Sequence, residues 1–121
     1  MQKLLNDPSN VVPESIDGFV KCYRNFVAYT DCPRALKYVE APIKGKVGIV
    51  TGGGSGHNPA FKGYLGKNML DAVAIGNIFS PPSVDAFYSA FKAADSGHGV
   101  VCLYGNFPAD IENAEAAIVR A

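Results

Sequence analysis

The chain contains 121 residues, with 11 Lys plus Arg, 11 Asp plus Glu and a formal net charge of zero. This length suits one domain, and the balanced charge argues against binding to a polyanion such as nucleic acid. Hydrophobic residues form 48% of the chain and charged residues 18%, a composition too apolar for a disordered segment. We therefore predict a single folded domain over residues 1–121 with a buried core.

Signals for targeting and for disulfides are weak in this sequence. No apolar run approaches the roughly 20 residues that span a bilayer, and the N-terminus lacks the long apolar stretch of a secretory signal. The three cysteines, Cys22, Cys32 and Cys102, show no C-x-x-C spacing and no neighbouring histidine cluster. We therefore predict a cytoplasmic protein with reduced thiols, no membrane segment and no metal site.

Hydrophobic periodicity predicts elements that alternate between helix and strand. Apolar residues recur at helical spacing after a turn at residues 7–10, which predicts a first helix from Val11 to about Val27. Apolar runs and capping residues then predict strands over 35–40, 46–51, 70–75 and 99–104, and helices over 59–64, 83–94 and from 110 onward. The predicted fold class is therefore α/β, with a parallel or mostly parallel sheet flanked by helices.

In a parallel sheet the ligand site lies beyond the C-terminal ends of the strands. Three predicted loops leave the sheet at that edge, over residues 52–58, 76–82 and 105–110. Each loop combines glycine or proline with polar residues, so we expect the site where the three loops meet.

The glycine-rich loop 52–58 is the most informative of the three. Its glycines permit positive φ and close approach of a ligand, so bare backbone N–H groups are the expected binding tool. The chain has no Walker motif, and His57 stands where a dinucleotide fingerprint or a nucleophile elbow needs glycine. We predict that His57 contacts a ligand hydroxyl or transfers a proton. The alternative is a tight turn with a solvent-exposed histidine.

The other two loops also allow both a structural and a functional interpretation. Ser83 is a predicted N-cap, and the Phe79 ring could form one wall of a small pocket. Asp110 is a predicted N-cap of the last helix. Alternatively, its carboxylate accepts a proton from a substrate hydroxyl, as phosphoryl transfer to an alcohol requires.

Five motifs occur in order along the chain. They are KLLNDP at 3–8, GGGSGH at 52–57, GYLGK at 63–67, FSPP at 79–82 and NFPAD at 106–110. Together they resemble the N-terminal part of the dihydroxyacetone kinases, specifically the substrate-binding DhaK subunit or domain. The resemblance covers essentially the whole chain but only the beginning of that longer subunit, so we expect an N-terminal fragment of it.

The resemblance implies phosphorylation of dihydroxyacetone (glycerone), or of a related short-chain ketose, in glycerol metabolism. It implies no cofactor on this chain. ATP with Mg²⁺ is implied on a separate DhaL-type nucleotide-binding subunit or domain, unless a phosphotransferase relay supplies the phosphoryl group. It further implies a homodimer in the full-length protein, and a histidine beyond residue 121 that binds the substrate covalently.

The resemblance also implies residue roles by position. Gly54 would contact the substrate through its backbone, His57 would act as a hydrogen-bonding and catalytic partner of the substrate oxygens, and Asp110 would be the base on the attacked hydroxyl. The remaining residues of the expected substrate-binding set are Gly53, Ser55 and Phe79.

Three positions depart from the family pattern. Asn58 stands where the family usually has Glu, Gly105 where many members carry Lys, and Pro108-Ala109 where a small residue followed by Gly is usual. The first two substitutions favour an alternative, a non-catalytic DhaK-like coactivator or regulator that binds the ketose. A third hypothesis is that the chain is a folded module that does not bind ketose by itself.

Overall fold

A computed structural model describes residues 4–121 and contains a five-stranded sheet. The strands follow one another in space in the order β1-β2-β4-β3-β5. Their bounds are β1 Val27–Tyr29, β2 Ala35–Tyr38, β3 Gly48–Gly54, β4 Ala72–Gly76 and β5 Val100–Tyr104. The fold class is therefore α/β, as predicted.

The sheet is mixed, so the prediction of a parallel or mostly parallel sheet is wrong in part. Strand β3 runs parallel to β4 and β5, whereas β1 pairs antiparallel with β2, and β2 antiparallel with β4. The β1–β2 pair is antiparallel because a short connection joins the two strands, and a parallel pair needs a longer crossover. The sequence prediction missed β1 and assigned its first residue, Val27, to the first helix.

Three helices cover the two faces of the sheet. Helix α1 (Val11–Cys22) packs Val12 and Ile16 against Leu36, Val73 and Ile75 on one face. Helices α2 (Val84–Ala94) and α3 (Pro108–Arg120) cover the other face, where small residues such as Ala72 and Ala74 lie beneath Phe87. The longest helix has 13 residues, so no helix within 4–121 is long and apolar enough to cross a membrane.

The first helix is shorter than the sequence predicts. It ends at Cys22, and the backbone N–H groups of Phe26 and Val27 turn back onto the carbonyl of Tyr23. Val27 then pairs with Tyr38 as the first residue of β1. The prediction of a helix to about Val27 is wrong because tertiary pairing with β2 outweighs the helical spacing of these apolar residues.

The glycine run belongs to a strand and not to a loop. Strand β3 continues through Gly52, Gly53 and Gly54, and only then turns into a short 3₁₀ helix over Ser55–His57. The predicted helix over 59–64 is reduced to a 3₁₀ turn at Lys62–Tyr64. Helix α2 begins after the Ser83 N-cap, as predicted, since the Ser83 hydroxyl accepts a hydrogen bond from the Ala86 N–H.

Two aromatic rings explain why this part of β3 is glycine. A Cβ atom on Gly52 would overlap the Phe87 ring of α2 on one face of the sheet. A Cβ atom on Gly53 would overlap the Phe61 ring on the opposite face. Close packing on both faces therefore requires glycine here, and none of the glycines in 52–56 adopts a positive φ.

This packing predicts a sharp contrast between two glycine substitutions. Gly52→Ala is expected to lower the free energy of unfolding by about 1–3 kcal/mol or more, because the new methyl group overpacks against Phe87. Gly18→Ala, at an exposed position of α1 where a Cβ meets nothing within 4 Å, is expected to raise it by about 0.5–1 kcal/mol. Urea unfolding followed by circular dichroism measures both. Equal effects of the two substitutions would contradict the packing argument.

A buried lysine lies between α1 and the turn after the glycine run. The Lys62 side chain is only 5% exposed, and its ammonium group donates to the Ser15 hydroxyl at 3.0 Å and lies 5.6 Å above the Phe19 ring. Burial lowers the pKa of Lys62 from its ordinary value. The ammonium group is therefore an unfavourable charge in the folded state at neutral pH.

Lys62 should make stability depend on pH at alkaline values. Because its pKa is lower in the folded than in the unfolded chain, stability rises as pH increases between the two pKa values. Lys62→Met keeps the length of the side chain and removes the charge, so it is expected to increase stability at pH 7 and to abolish the alkaline rise. Urea unfolding of both proteins at pH 7 and pH 10 checks this. An unchanged alkaline rise in Lys62→Met would assign the effect to other groups.

Candidate functional site

A cavity of about 370 Å³ opens at the C-terminal edge of the parallel strands. Three segments line it: the end of β3 with its 3₁₀ turn, the loop between β4 and α2, and the loop between β5 and α3. Four residues of the predicted set meet here, namely Gly54, His57, Phe79 and Asp110. The expected convergence of the three loops is confirmed.

The loop after β4 is fastened to the end of β3 by main-chain hydrogen bonds. The N–H of Ser55 donates to the carbonyl of Asn77 at 2.9 Å, and the N–H of Gly56 donates to the carbonyl of Ile78 at 2.9 Å. These two N–H groups are therefore occupied within the chain. The expectation of a loop full of bare N–H groups is wrong for them, and their role is to hold one wall of the cavity.

Two residues of the predicted set do not line the cavity. Gly53 is buried in β3 under the Phe61 ring. Ser55 is 7% exposed, and its hydroxyl has no hydrogen-bond partner within residues 4–121. Both residues flank Gly54, which does line the cavity.

His57 ends the 3₁₀ turn and is exposed at the cavity. Its ring meets the Phe61 ring edge to face, with 5.9 Å between the centroids and an angle of 82° between the planes. Phe61 is itself held against Gly53. The close packing of the glycine strand therefore orients the imidazole, and both ring nitrogens can take part in hydrogen bonds with a ligand.

Asp110 is a buried carboxylate in the first turn of α3. Helix α3 begins at Pro108 with Phe107 as its N-cap, so the prediction of Asp110 as the N-cap is wrong. Proline at the first helical position moves the start of the helix two residues earlier. Asp110 therefore lines the cavity from the first turn of the helix and does not cap it.

The surroundings of Asp110 compensate the charge of its carboxylate only in part, through His57 and the N-terminus of α3. The residue is 8% exposed, and its Oδ1 atom has no hydrogen-bond partner in the described part of the chain. Burial raises the pKa of Asp110, and the charge of His57 acts in the opposite direction. A desolvated carboxylate that faces a cavity is well suited to accept a proton.

Two aromatic side chains flank the mouth of the cavity. Phe79 is 95% exposed and Phe107 is 62% exposed. The prediction of Phe79 as a wall is consistent with this position. Phe107, Ile78 and Pro108 also line the cavity but were not among the predicted site residues. The signal that could have revealed Phe107 is an apolar ring in a loop at the functional edge of the sheet.

A second hollow of about 480 Å³ lies on the outer side of β5 and is lined largely by apolar side chains, including Phe91, Tyr104 and Ile118. It contains none of the residues that the three loops bring together. The smaller cavity is therefore the candidate site, because it combines the imidazole and the buried carboxylate.

Comparison with known proteins places this chain in a family. The family model of the Dak1 domain matches residues 17–121. The chain belongs to the Dak1 family. This Dak1 chain is 40% identical over 117 residues to the dihydroxyacetone-binding subunit DhaK of the PTS-dependent dihydroxyacetone kinase 1 of Listeria innocua. That alignment covers 97% of this chain and 35% of the relative.

Another relative has a different substrate in its name. The L-erythrulose 1-kinase of Mycolicibacterium smegmatis is 38% identical over 111 residues, which cover 92% of the Dak1 chain and 19% of the relative. The chain thus spans about a third or less of the length of these curated relatives.

Two solved structures share the fold. The dihydroxyacetone kinase of C. freundii, in complex with AMP-PNP and Mg²⁺, matches with a TM-score of 0.88 and 32% identity over 99% of this chain and 23% of that chain. The dihydroxyacetone kinase operon co-activator DhaQ matches with a TM-score of 0.81 and 34% identity over 90% of this chain and 33% of that chain. One fold therefore serves both a kinase and a co-activator.

The buried carboxylate predicts a stability gain on neutralisation. Because the pKa of Asp110 is raised in the folded state, the ionised side chain reduces stability as pH rises above its ordinary pKa. Asp110→Asn preserves the shape and is expected to raise the melting temperature at pH 7 by about 2–5 °C. The difference from the wild type should disappear near pH 3, where both side chains are neutral.

Glu112→Gln is the matched control, since Glu112 is an exposed carboxylate in the same part of α3. Glu112 lies beyond the first turn of α3, so its neutralisation should leave the melting temperature nearly unchanged. A loss of stability in Asp110→Asn at pH 7 would mean that the carboxylate has a partner that the described residues do not show.

Proposed function

We propose that this chain is the ketose-binding part of a phosphotransferase of the dihydroxyacetone kinase type, which phosphorylates dihydroxyacetone or a related short-chain ketose. One observation carries the proposal: a buried carboxylate, Asp110, whose Oδ1 atom has no hydrogen-bond partner among residues 4–121, lines a cavity that also contains an exposed imidazole, His57. The names of the relatives support the substrate class.

Asp110 acts as the base in the proposed reaction. The hydroxyl proton of the ketose passes to the Asp110 carboxylate, and the hydroxyl oxygen forms a bond to the phosphorus atom of the donor. The bond between phosphorus and the donor's leaving group breaks at the same stage. The raised pKa of Asp110 makes the carboxylate a better proton acceptor than an exposed aspartate.

His57 and the backbone at Gly54 orient the ketose in this proposal. The imidazole donates or accepts hydrogen bonds with the substrate oxygens, and Phe61 restrains its ring. A cavity of about 370 Å³ accommodates a three- or four-carbon ketose together with part of a partner molecule. Ile78, Phe79 and Phe107 exclude water from the reacting hydroxyl when a partner covers the mouth.

The phosphoryl donor comes from a partner in this proposal. Asp110 is the only carboxylate among the described cavity residues, and no group of three His, Cys, Asp or Glu side chains within 4–121 could hold a metal ion. The residues present here therefore do not fit Mg²⁺ with a nucleotide. A DhaL-type nucleotide-binding subunit with ATP and Mg²⁺, or a phosphotransferase relay, would supply the phosphoryl group.

A second candidate function is ketose binding without phosphoryl transfer, as a co-activator. Two observations favour it: the fold also matches the co-activator DhaQ, and Gly105, near the cavity, leaves no positive charge where phosphate charge would develop. Both candidates need the same ketose-binding cavity. They differ in whether the Asp110 base is used.

Ketose binding is tested by thermal unfolding of the 121-residue chain with 10 mM dihydroxyacetone, L-erythrulose or glycerol. A ligand that binds only the folded state raises the transition by an amount that follows RT ln(1 + [L]/Kd). We expect both ketoses to raise the melting temperature and glycerol to leave it unchanged. The ketose-induced shift should fall by at least half in His57→Ala and remain in the control His98→Ala, which lies outside the cavity.

Phosphoryl transfer is tested in a chimaera, in which this segment replaces the N-terminal third of a dihydroxyacetone kinase DhaK subunit. With the donor subunit present, formation of ketose phosphate that is lost in Asp110→Asn supports the kinase. A chimaera that shows the ketose-induced thermal shift but no turnover with either ketose overturns the kinase in favour of the co-activator. Absence of a ketose-induced shift in both the chain and the chimaera contradicts both functions.

A further inference from the structure

A separate cavity of about 330 Å³ lies on the other side of the loop between β4 and α2. It shares only Ser80 and Pro81 with the ketose cavity, so this loop is the wall between the two. Two polar side chains line this cavity: Arg34, which immediately precedes β2, and Asn113, which belongs to α3. No step of the proposed phosphoryl transfer uses these two residues.

Arg34 presents a cation to this cavity without a counter-charge. Its Nη1 atom is buried and has no hydrogen-bond partner within the described residues 4–121. None of the described residues that line the cavity is Asp or Glu. A guanidinium with a buried, unpaired N–H carries a desolvation cost that an anion would relieve.

Several neutral donors line the same cavity as Arg34. The Ser83 hydroxyl oxygen accepts from the Ala86 N–H, which leaves the hydroxyl proton free to donate. Asn113 donates one N–H of its side-chain amide to the carbonyl of Pro82 at 2.8 Å and retains a second. The Ser80 hydroxyl and the Asn77 amide line the same cavity. The donors therefore come from four side chains in addition to the guanidinium.

We propose that this cavity binds a phosphate group through Arg34. A phosphate can accept the guanidinium fork through two of its oxygens and still offer one or two further oxygens to the hydroxyl and amide donors, whereas a planar carboxylate has only two oxygens in total. The phosphate belongs either to inorganic phosphate or to a small phosphate monoester. The site is distinct from the ketose cavity and does not depend on the proposed ketose chemistry.

The test is isothermal titration of the 121-residue chain with inorganic phosphate at low ionic strength, with dihydroxyacetone phosphate and acetate titrated in parallel. Arg34→Gln is expected to weaken phosphate binding at least tenfold. Arg24→Gln removes the same charge from an exposed position outside the cavity and should change the Kd by less than twofold. Arg34→Lys, which keeps the charge but not the fork, should lie between them.

The possible outcomes distinguish inorganic phosphate from a phosphate monoester, and the Arg34 cavity from the ketose cavity. Tighter binding of dihydroxyacetone phosphate than of inorganic phosphate, lost in Arg34→Gln, assigns the site to a phosphate monoester; the reverse order assigns it to free phosphate. Equal phosphate binding by wild type and Arg34→Gln, equal binding of acetate, or no saturable binding overturns the proposal. Asp110→Asn should retain phosphate binding, and Arg34→Gln should retain the ketose-induced thermal shift, so failure of one site is distinguished from failure of the other.

Discussion

The contact of two aromatic rings with opposite faces of one glycine strand underlies the arrangement of this domain. Phe87 lies against Gly52 and fixes α2 on one face, while Phe61 lies against Gly53 and fixes the segment after β3 on the other. The same segment carries His57, whose ring Phe61 restrains. The position of the imidazole is thus a consequence of core packing, and the hydrophobic core and the candidate site cannot be separated energetically.

The candidate site combines this rigid support with an unfavourable buried charge. The first turn of α3 places the Asp110 carboxylate where the chain offers its Oδ1 atom no partner among residues 4–121. Such a group costs folding free energy and persists only when the surrounding structure is stable enough to bear it. Lys62 is another buried charge, and the described residues offer it a hydroxyl group but no carboxylate partner.

The sequence predicts the location of the site better than its details. Helix α2 and strand β5 agree with prediction because a capping serine and continuous apolar runs mark them locally. Strand β1 was missed, since its three residues become extended only by pairing with β2. The glycine run predicts positive φ, whereas the structure requires glycine because the Phe87 ring lies against Gly52 and the Phe61 ring lies against Gly53. These ring contacts form only in the folded chain, so a local sequence pattern does not reveal them.

The wall between β4 and α2 is held to the end of β3 by main-chain groups, through the N–H groups of Ser55 and Gly56. Neither bond involves the side chains of Ile78 and Phe79, which face the cavity. Those side chains can therefore be exchanged for larger or smaller ones while the path of the wall is maintained. This separation of support from surface makes the loop the part of the domain at which the cavity can be reshaped during divergence or by engineering.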